Sequence, residues 1–235
     1  MVGTLTVALL APAAAHALPA SPDPQEPFRV AAPSRAHGST IARVLTPTFA
    51  RRRLASAKDA WRVDAATAWS RHAQVLLVLD AATRDGREWV KLLLAKRPNG
   101  STGWVPRDRV ALSRNRYWVD VRRRARRVTI YRDGRRLRRF RGVSGAPSTP
   151  TPVGLAAIYE RNRQPNPRGA LGPWALSLTT LSDVLRSFAG GPGRIAIHGG
   201  PVGTGGSHGC VHVRNEDVSW MAARLPTGTP VDVMA

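Results

Sequence analysis

Residues 195–213 read Ile195-Ala-Ile-His198-Gly199-Gly-Pro-Val-Gly-Thr-Gly-Gly-Ser207-His208-Gly209-Cys210-Val-His212-Val213. Nine of the chain's 21 glycines lie between Gly190 and Gly209. That density lets backbone amides approach a ligand and adopt positive φ. Four chemistries compete for the segment. A phosphate-binding loop of the G-x-x-x-x-G-K-[ST] type needs a lysine that the segment lacks. Gly205-Gly-Ser207-His-Gly209 satisfies G-x-S-x-G, but that serine elbow needs a helix directly after it and an acid and a histidine beyond. Only 28 residues follow Ser207, and those after Gly209 read as a strand. His208, Cys210 and His212, at i, i+2 and i+4, would share one strand face, and with His198 they make a zinc-like donor set. Ligands consecutive on one strand rarely close a tetrahedron.

The fourth chemistry is nucleophilic attack by Cys210. An imidazole or a polar backbone beside a thiol lowers its pKa from ~8.5 into the ~3.5–7.5 range. His198 and His208 are both close in sequence, and the amides of Gly209 and Cys210 are placed to meet an oxyanion. A nucleophile, a base and a hole thus fall within thirteen residues.

Downstream, Asn215 is expected as an N-cap, with Glu216 and Asp217 in the first turn, Val218, Met221, Ala222 and Leu225 at helical spacing, and Pro226 as the stop. Thr180–Phe188 is a second, shorter helix candidate. Upstream, Val119, Val121, Val128 and Ile130 alternate with polar residues, and Asp133-Gly134 predicts a tight hairpin. Arg122–Arg124, Arg126, Arg127, Arg135, Arg136, Arg138, Arg139 and Arg141 fall mostly on outward faces and turn flanks. Between Thr40 and Ser113, short β-type runs (Gln74–Leu79, Trp89–Leu94, Gly103–Val105, Val110–Leu112) are punctuated by Asp85-Gly86 and Asn99-Gly100, a small all-β module.

The whole chain has 235 residues, 36 Lys+Arg against 15 Asp+Glu and a net charge of +21, with 43% hydrophobic residues. It has enough apolar content for one large or two small cores and lacks the signature of a disordered chain. No apolar run reaches 18 residues, so no transmembrane anchor is expected. One cysteine excludes an intrachain disulfide framework and a four-thiolate zinc ribbon. Only three basic residues are lysines, and the arginine bias is partly compositional background. No aromatic stacking platform, zinc-finger spacing or RNA-binding strand accompanies it, so nucleic acid is not the expected partner; an anionic wall polymer fits the charge better. Residues 1–20 read as a signal peptide, with an apolar stretch from Gly3 to Ala15 and small residues at Ala15, Ala17 and Ala20. No Lys or Arg precedes Arg29. Residues 21–39 read as a Pro/Ala-rich linker, residues 40–113 as the β module, and residues 115–235 as a second globular domain.

His198-Gly199 paired with Ser207-His208-Gly209-Cys210, a short strand, a helix and Gly-Thr-Pro-Val231 resembles the L,D-transpeptidase catalytic domain of bacterial cell-wall enzymes, and Pro150-Thr-Pro-Val-Gly154 resembles its T-P-x-G segment. Trp89 through Pro106, with its Gly103-Trp104-Val105 strand, resembles bacterial SH3-like domains. These resemblances imply a mainly β chain: a small SH3-like barrel, then a β-sandwich-like catalytic domain with one or two short helices. They imply Cys210 as nucleophile, His198 as general base, and Ser207, His208, Gly209 and Gly199 shaping the pocket, with no metal and no cofactor. Two positions after the cysteine the family carries Arg or Asn; here stands His212, with Arg214 beyond it, and these two are the residues left for substrate binding. The implied activity is acyl exchange on peptidoglycan stem peptides through a thioester, giving 3→3 cross-links outside the cytoplasm. Water as acceptor would make an L,D-carboxypeptidase, and a decorative Cys210 would leave a non-catalytic wall-binding protein.

Overall fold

The structure is a computed structural model, and it describes residues 28–188, 190–203 and 206–235. The expected signal peptide and the first part of the linker lie outside these residues. The chain is mainly β. β1 (Ser39–Val44), β2 (Thr48–Arg53), β3 (Ser56–Val63), β4 (Val75–Arg84), β5 (Arg87–Leu93), β6 (Thr102–Pro106) and β7 (Val110–Asn115) form a seven-stranded sheet of order β3-β2-β6-β5-β4-β1-β7. Asp85 and Gly86, both at positive φ, make the two-residue turn between β4 and β5 as their sequence anticipates. Phe28 and Val30, in the stretch read as linker, pack instead on the core of this sheet.

β8 (Tyr117–Arg122), β9 (Arg127–Arg132), β10 (Arg135–Arg141), β11 (Gly154–Arg163), β12 (Trp174–Leu181), β13 (Arg194–Gly199), β14 (Val211–Val213), α1 (Asn215–Arg224) and β15 (Pro230–Met234) build the second half. Its eight strands run in the order β10-β9-β8-β15-β11-β12-β13-β14. Asp133 and Gly134 turn β9 into β10. Val119, Val121, Val128 and Ile130 alternate into the core with Leu176, Leu178, Ile195, Ile197, Val211 and Val213. Val218, Met221 and Leu225 of the α1 region close over them. Burying each such side chain contributes roughly 1.5–3 kcal/mol, so this face fixes the register of β13 and β14.

Two helix readings are corrected. The N-cap of α1 is Arg214, one residue before Asn215. Thr180–Phe188 is not a helix: Thr180 and Leu181 complete β12, and the residues beyond turn irregularly. There the backbone partners are side chains: Ser182 Oγ accepts from the amides of Val184 and Leu185 at 3.3 and 3.0 Å, and Arg97 donates to the carbonyls of Ser182 and Leu185 at 3.0 and 3.2 Å. These bonds replace the i→i−4 ladder.

The two sheets share a seam. Tyr159 of β11 packs into the core of the first sheet, and Leu77 and Leu93 of that sheet pack with Ala157. Glu160, buried, accepts from the amides of Trp69 and Ser70 at 3.2 and 3.0 Å. Burial pushes its carboxyl up, but hydrogen bonds from Thr67, Ser70 and Trp69 outweigh that and hold it below the usual range.

Candidate active site

The alternation of Ile195-Ala-Ile-His198 and Cys210-Val-His212-Val decides which side chains meet. β13 and β14 are parallel, with Ile197 beside Val211 and His198 beside His212. Because strand residues alternate faces, the core takes Ile195, Ile197, Val211 and Val213, and the opposite face receives His198, His212 and Cys210. The His198 and His212 rings lie 4.4 Å apart between centroids. Cys210 is one residue before β14, half-buried, and diagonal to His198.

His198 is 3% exposed, and its Nδ1 lies 2.7 Å from the Gly199 carbonyl. A carbonyl can only accept, so Nδ1 carries the proton and Nε2 keeps a free lone pair. Burial, with a smaller contribution from His212, drives the imidazole down to about 4, against the hydrogen bond to Gly199. It is neutral at physiological pH. The sulfur goes the other way: burial pushes the Cys210 thiol up, partly offset by a hydrogen bond with the Ala196 backbone. The depressed thiol pKa expected from the neighbouring imidazoles is therefore not found. Thiol and imidazole are both neutral because burial penalises either ion.

Ser207 is buried and organises the turn before the sulfur. Its Oγ accepts from the Gly209 amide at 3.1 Å and donates to the Cys210 carbonyl. The Gly209 amide is thus taken by Ser207, leaving the amide of Cys210 as the one beside the sulfur that Ser207 does not use. Gly209 has φ +115, a backbone conformation that L side chains rarely adopt, and a Cβ there would also press on Ile195 Cδ1 at 3.0 Å, so the conformation favours glycine. Gly199 is equally confined, since a Cβ would lie 2.3 Å from Asn215 Oδ1 and 3.0 Å from Gly172 Cα. His208 acts on the imidazole pair through its charge, adding to the burial that lowers His212. It is exposed in the loop, with its ring 5.2 Å from that of Phe188. Arg214 turns to the helix it caps, 3.4 Å from Asp217 and 3.3 Å from Glu216. Burial lowers the His212 pKa. Among the described residues no group of three or more His, Cys, Asp or Glu side chains could hold a metal ion.

Some supports of the site were not read from the sequence. Thr151, fully buried, donates to the Gly209 carbonyl at 2.7 Å and accepts from the Gly145 amide at 2.9 Å. Thr149 donates to the Ser207 carbonyl at 3.0 Å. The signal for both was the Pro150–Gly154 motif, with Thr151 inside it and Thr149 directly before it. A cavity of about 580 Å³ lined by Arg123, Arg124, Arg126, Ser144, Ala146 and Gly206 opens beside this loop.

The sequence profile of the YkuD L,D-transpeptidase catalytic domain matches residues 116–233, half of the chain. The chain belongs to this family. The YkuD proteins of Bacillus licheniformis and Bacillus subtilis are 31% and 30% identical to it over 121 residues, 50% of this chain and 65% of theirs, so the match stops short of two thirds of those relatives. Among solved structures, Bdellovibrio bacteriovorus Bd1075 is 27% identical with TM-score 0.41, covering 51% of this chain and 48% of that one. An L,D-transpeptidase from Mycobacterium smegmatis is 19% identical with TM-score 0.40, covering 60% and 76%. Family members are acyltransferases of the peptidoglycan layer. No helix among the described residues is long and apolar enough to cross a membrane.

Proposed function

We propose that the protein is an exported peptidoglycan L,D-transpeptidase that forms 3→3 cross-links through a thioester on Cys210. The observation that carries this reading is the shared face of β13 and β14, where a half-buried thiol sits diagonal to a neutral imidazole whose Nδ1 proton is pinned by Gly199 and whose Nε2 is left to accept. Cys210 Sγ attacks the carbonyl carbon of the third stem residue while its proton passes to His198 Nε2. The Cys210 amide faces the charge that builds on the carbonyl oxygen. The carbon–nitrogen bond to the terminal D-Ala breaks, the proton on His198 goes to that leaving amine, and a thioester remains. The side-chain amine of a second stem attacks the thioester, gives its proton to His198, and expels the sulfur, which takes that proton back.

Because both partners start neutral, the proton moves during attack and no ion pair waits at rest. With Arg214 engaged by its own helix, the stem carboxylate is assigned to Arg123 and Arg124 of the neighbouring cavity, with His212 inside the pocket. The test is incubation with disaccharide-tetrapeptide and mass spectrometry of the products. Release of D-Ala with a 3→3 dimer is expected. Release without dimer would reassign the acceptor to water, and no release would overturn the reading.

A further inference from the structure

Exposed apolar side chains scattered singly are ordinary on a protein surface, but three of those in this structure gather on one loop. Val184 and Phe188 are 52% and 49% exposed, and Trp69 of the first sheet's region, 57% exposed, lies against the same loop. A Cβ on Gly191 would stand 3.1 Å from the Trp69 ring. Gly191 and Phe188 exchange backbone hydrogen bonds, each 3.0 Å. Phe188 in turn meets His208 two residues from the nucleophile. A continuous path therefore runs from Trp69 over Gly191 and Phe188 to the catalytic loop.

The loop is held from the other sheet. Arg97 donates to the carbonyls of Ser182, Leu185 and Pro192 at 3.0, 3.2 and 3.0 Å. Asn99 donates to the Leu181 carbonyl and accepts from its amide, both at 2.8 Å. Three carbonyls on one guanidinium fix the loop that carries Phe188, and Glu160 holds the Trp69 amide at 3.2 Å, so both rings sit on anchored backbone and need little ordering on binding. Flat, exposed, preset aromatic faces suit the apolar C–H face of a pyranose, whose hydroxyls remain in water at the rim.

We infer that Trp69 and Phe188 form a saccharide-binding subsite spanning the two sheets, which holds the sugar from which the stem peptide hangs. The inference rests on the stem-peptide reading of Cys210. From the attacked carbonyl of the third residue back to the sugar, three residues span at most ~10 Å. The contacts run from the Cys210 turn through His208 to Phe188 first, and Trp69 lies beyond it across Gly191.

The test is calorimetric binding of disaccharide-tetrapeptide and of free tetrapeptide to Cys210→Ala protein, with and without Trp69→Ala. With Trp69 intact, the glycosylated ligand should bind about ten-fold tighter, the size of one stacked ring contact. Trp69→Ala should bring that ratio near one and leave tetrapeptide binding unchanged, and Trp69→Phe should restore most of it. Equal binding of the two ligands, or a Trp69→Ala loss shared by both, overturns the subsite. Turnover by the unmodified enzyme is measured separately. Sugar preference without D-Ala release would sink the acyl-transfer reading alone, and release without sugar preference would sink the subsite alone.

Discussion

Two loops flank β13, and they are secured in opposite ways. The turn from Gly206 to Cys210 is tied within its own half, by Thr149, Thr151, Ser144 and Ala146 onto Ser207 and Gly209. The stretches 181–188 and 190–193 are tied to the first sheet, by Asn99 at Leu181 and by Arg97 at Ser182 and Pro192. The first arrangement makes the Cys210 turn independent of the seam. The second makes the approach to it depend on the seam. The chemistry and the access to it are therefore built by different parts of the chain, and variants should separate them.

The largest effect should be Cys210→Ala, which is expected to abolish the covalent mass shift on exposure to a carbapenem while leaving the circular dichroism spectrum unchanged. A persisting adduct would remove this sulfur from the reaction. His198→Ala should lower turnover ~10²–10⁴-fold, measured as D-Ala release. With burial holding His198 at about 4, the imidazole stays unprotonated until the pH falls near that value, so the acidic limb of the rate profile should lie there and not near 6.5. Because the thiol is pushed up, alkylation by iodoacetamide should keep rising with pH beyond the ordinary thiol range.

Smaller effects sharpen the contrast between the loops. Thr151→Val strands the Gly209 carbonyl and the Gly145 amide in the interior and should cost about 2 kcal/mol of stability, read as a lower denaturation midpoint with a matching loss of turnover. Arg97→Ala should instead speed hydrogen exchange at Phe188 and Gly191 while the amides of β13 and β14 keep their protection; equal loosening of both would show the loops are not independent. The smallest effect is the acid response of the seam. Glu160 is held below its unfolded range, so its contribution to stability is full above the unfolded carboxylate value of about 4.3. It is lost as pH falls through the lower folded value. Glu160→Gln should flatten that part of the stability profile.

The legibility of the two loops differs for the same reason. Ser207, Gly209, Cys210 and His198 stand within thirteen residues, and strand alternation alone predicts that His198 and His212 share a face. The hairpins at Asp85-Gly86 and Asp133-Gly134 were legible because positive φ confines the residue choice. By contrast, Arg97 meets its carbonyls 85 to 95 residues away, and no local pattern announces that. The reading of Thr180–Phe188 as a helix failed on the same contact, since local propensity cannot foresee a guanidinium that takes the carbonyls a helix would use. For His208 and Arg214 the sequence carries no signal of the contacts they make, with an aromatic ring and with the acids of their own helix.

Tyr159 belongs by chain order to the sheet that bears Cys210 and by packing to the interior of the other sheet. Excising residues 116–235 as a stand-alone enzyme would strip that ring, together with Leu155 and Ala157, to water. Heat should accordingly melt the intact protein in a single calorimetric peak, and a dissected catalytic half should be sticky unless its bare flank is first made polar.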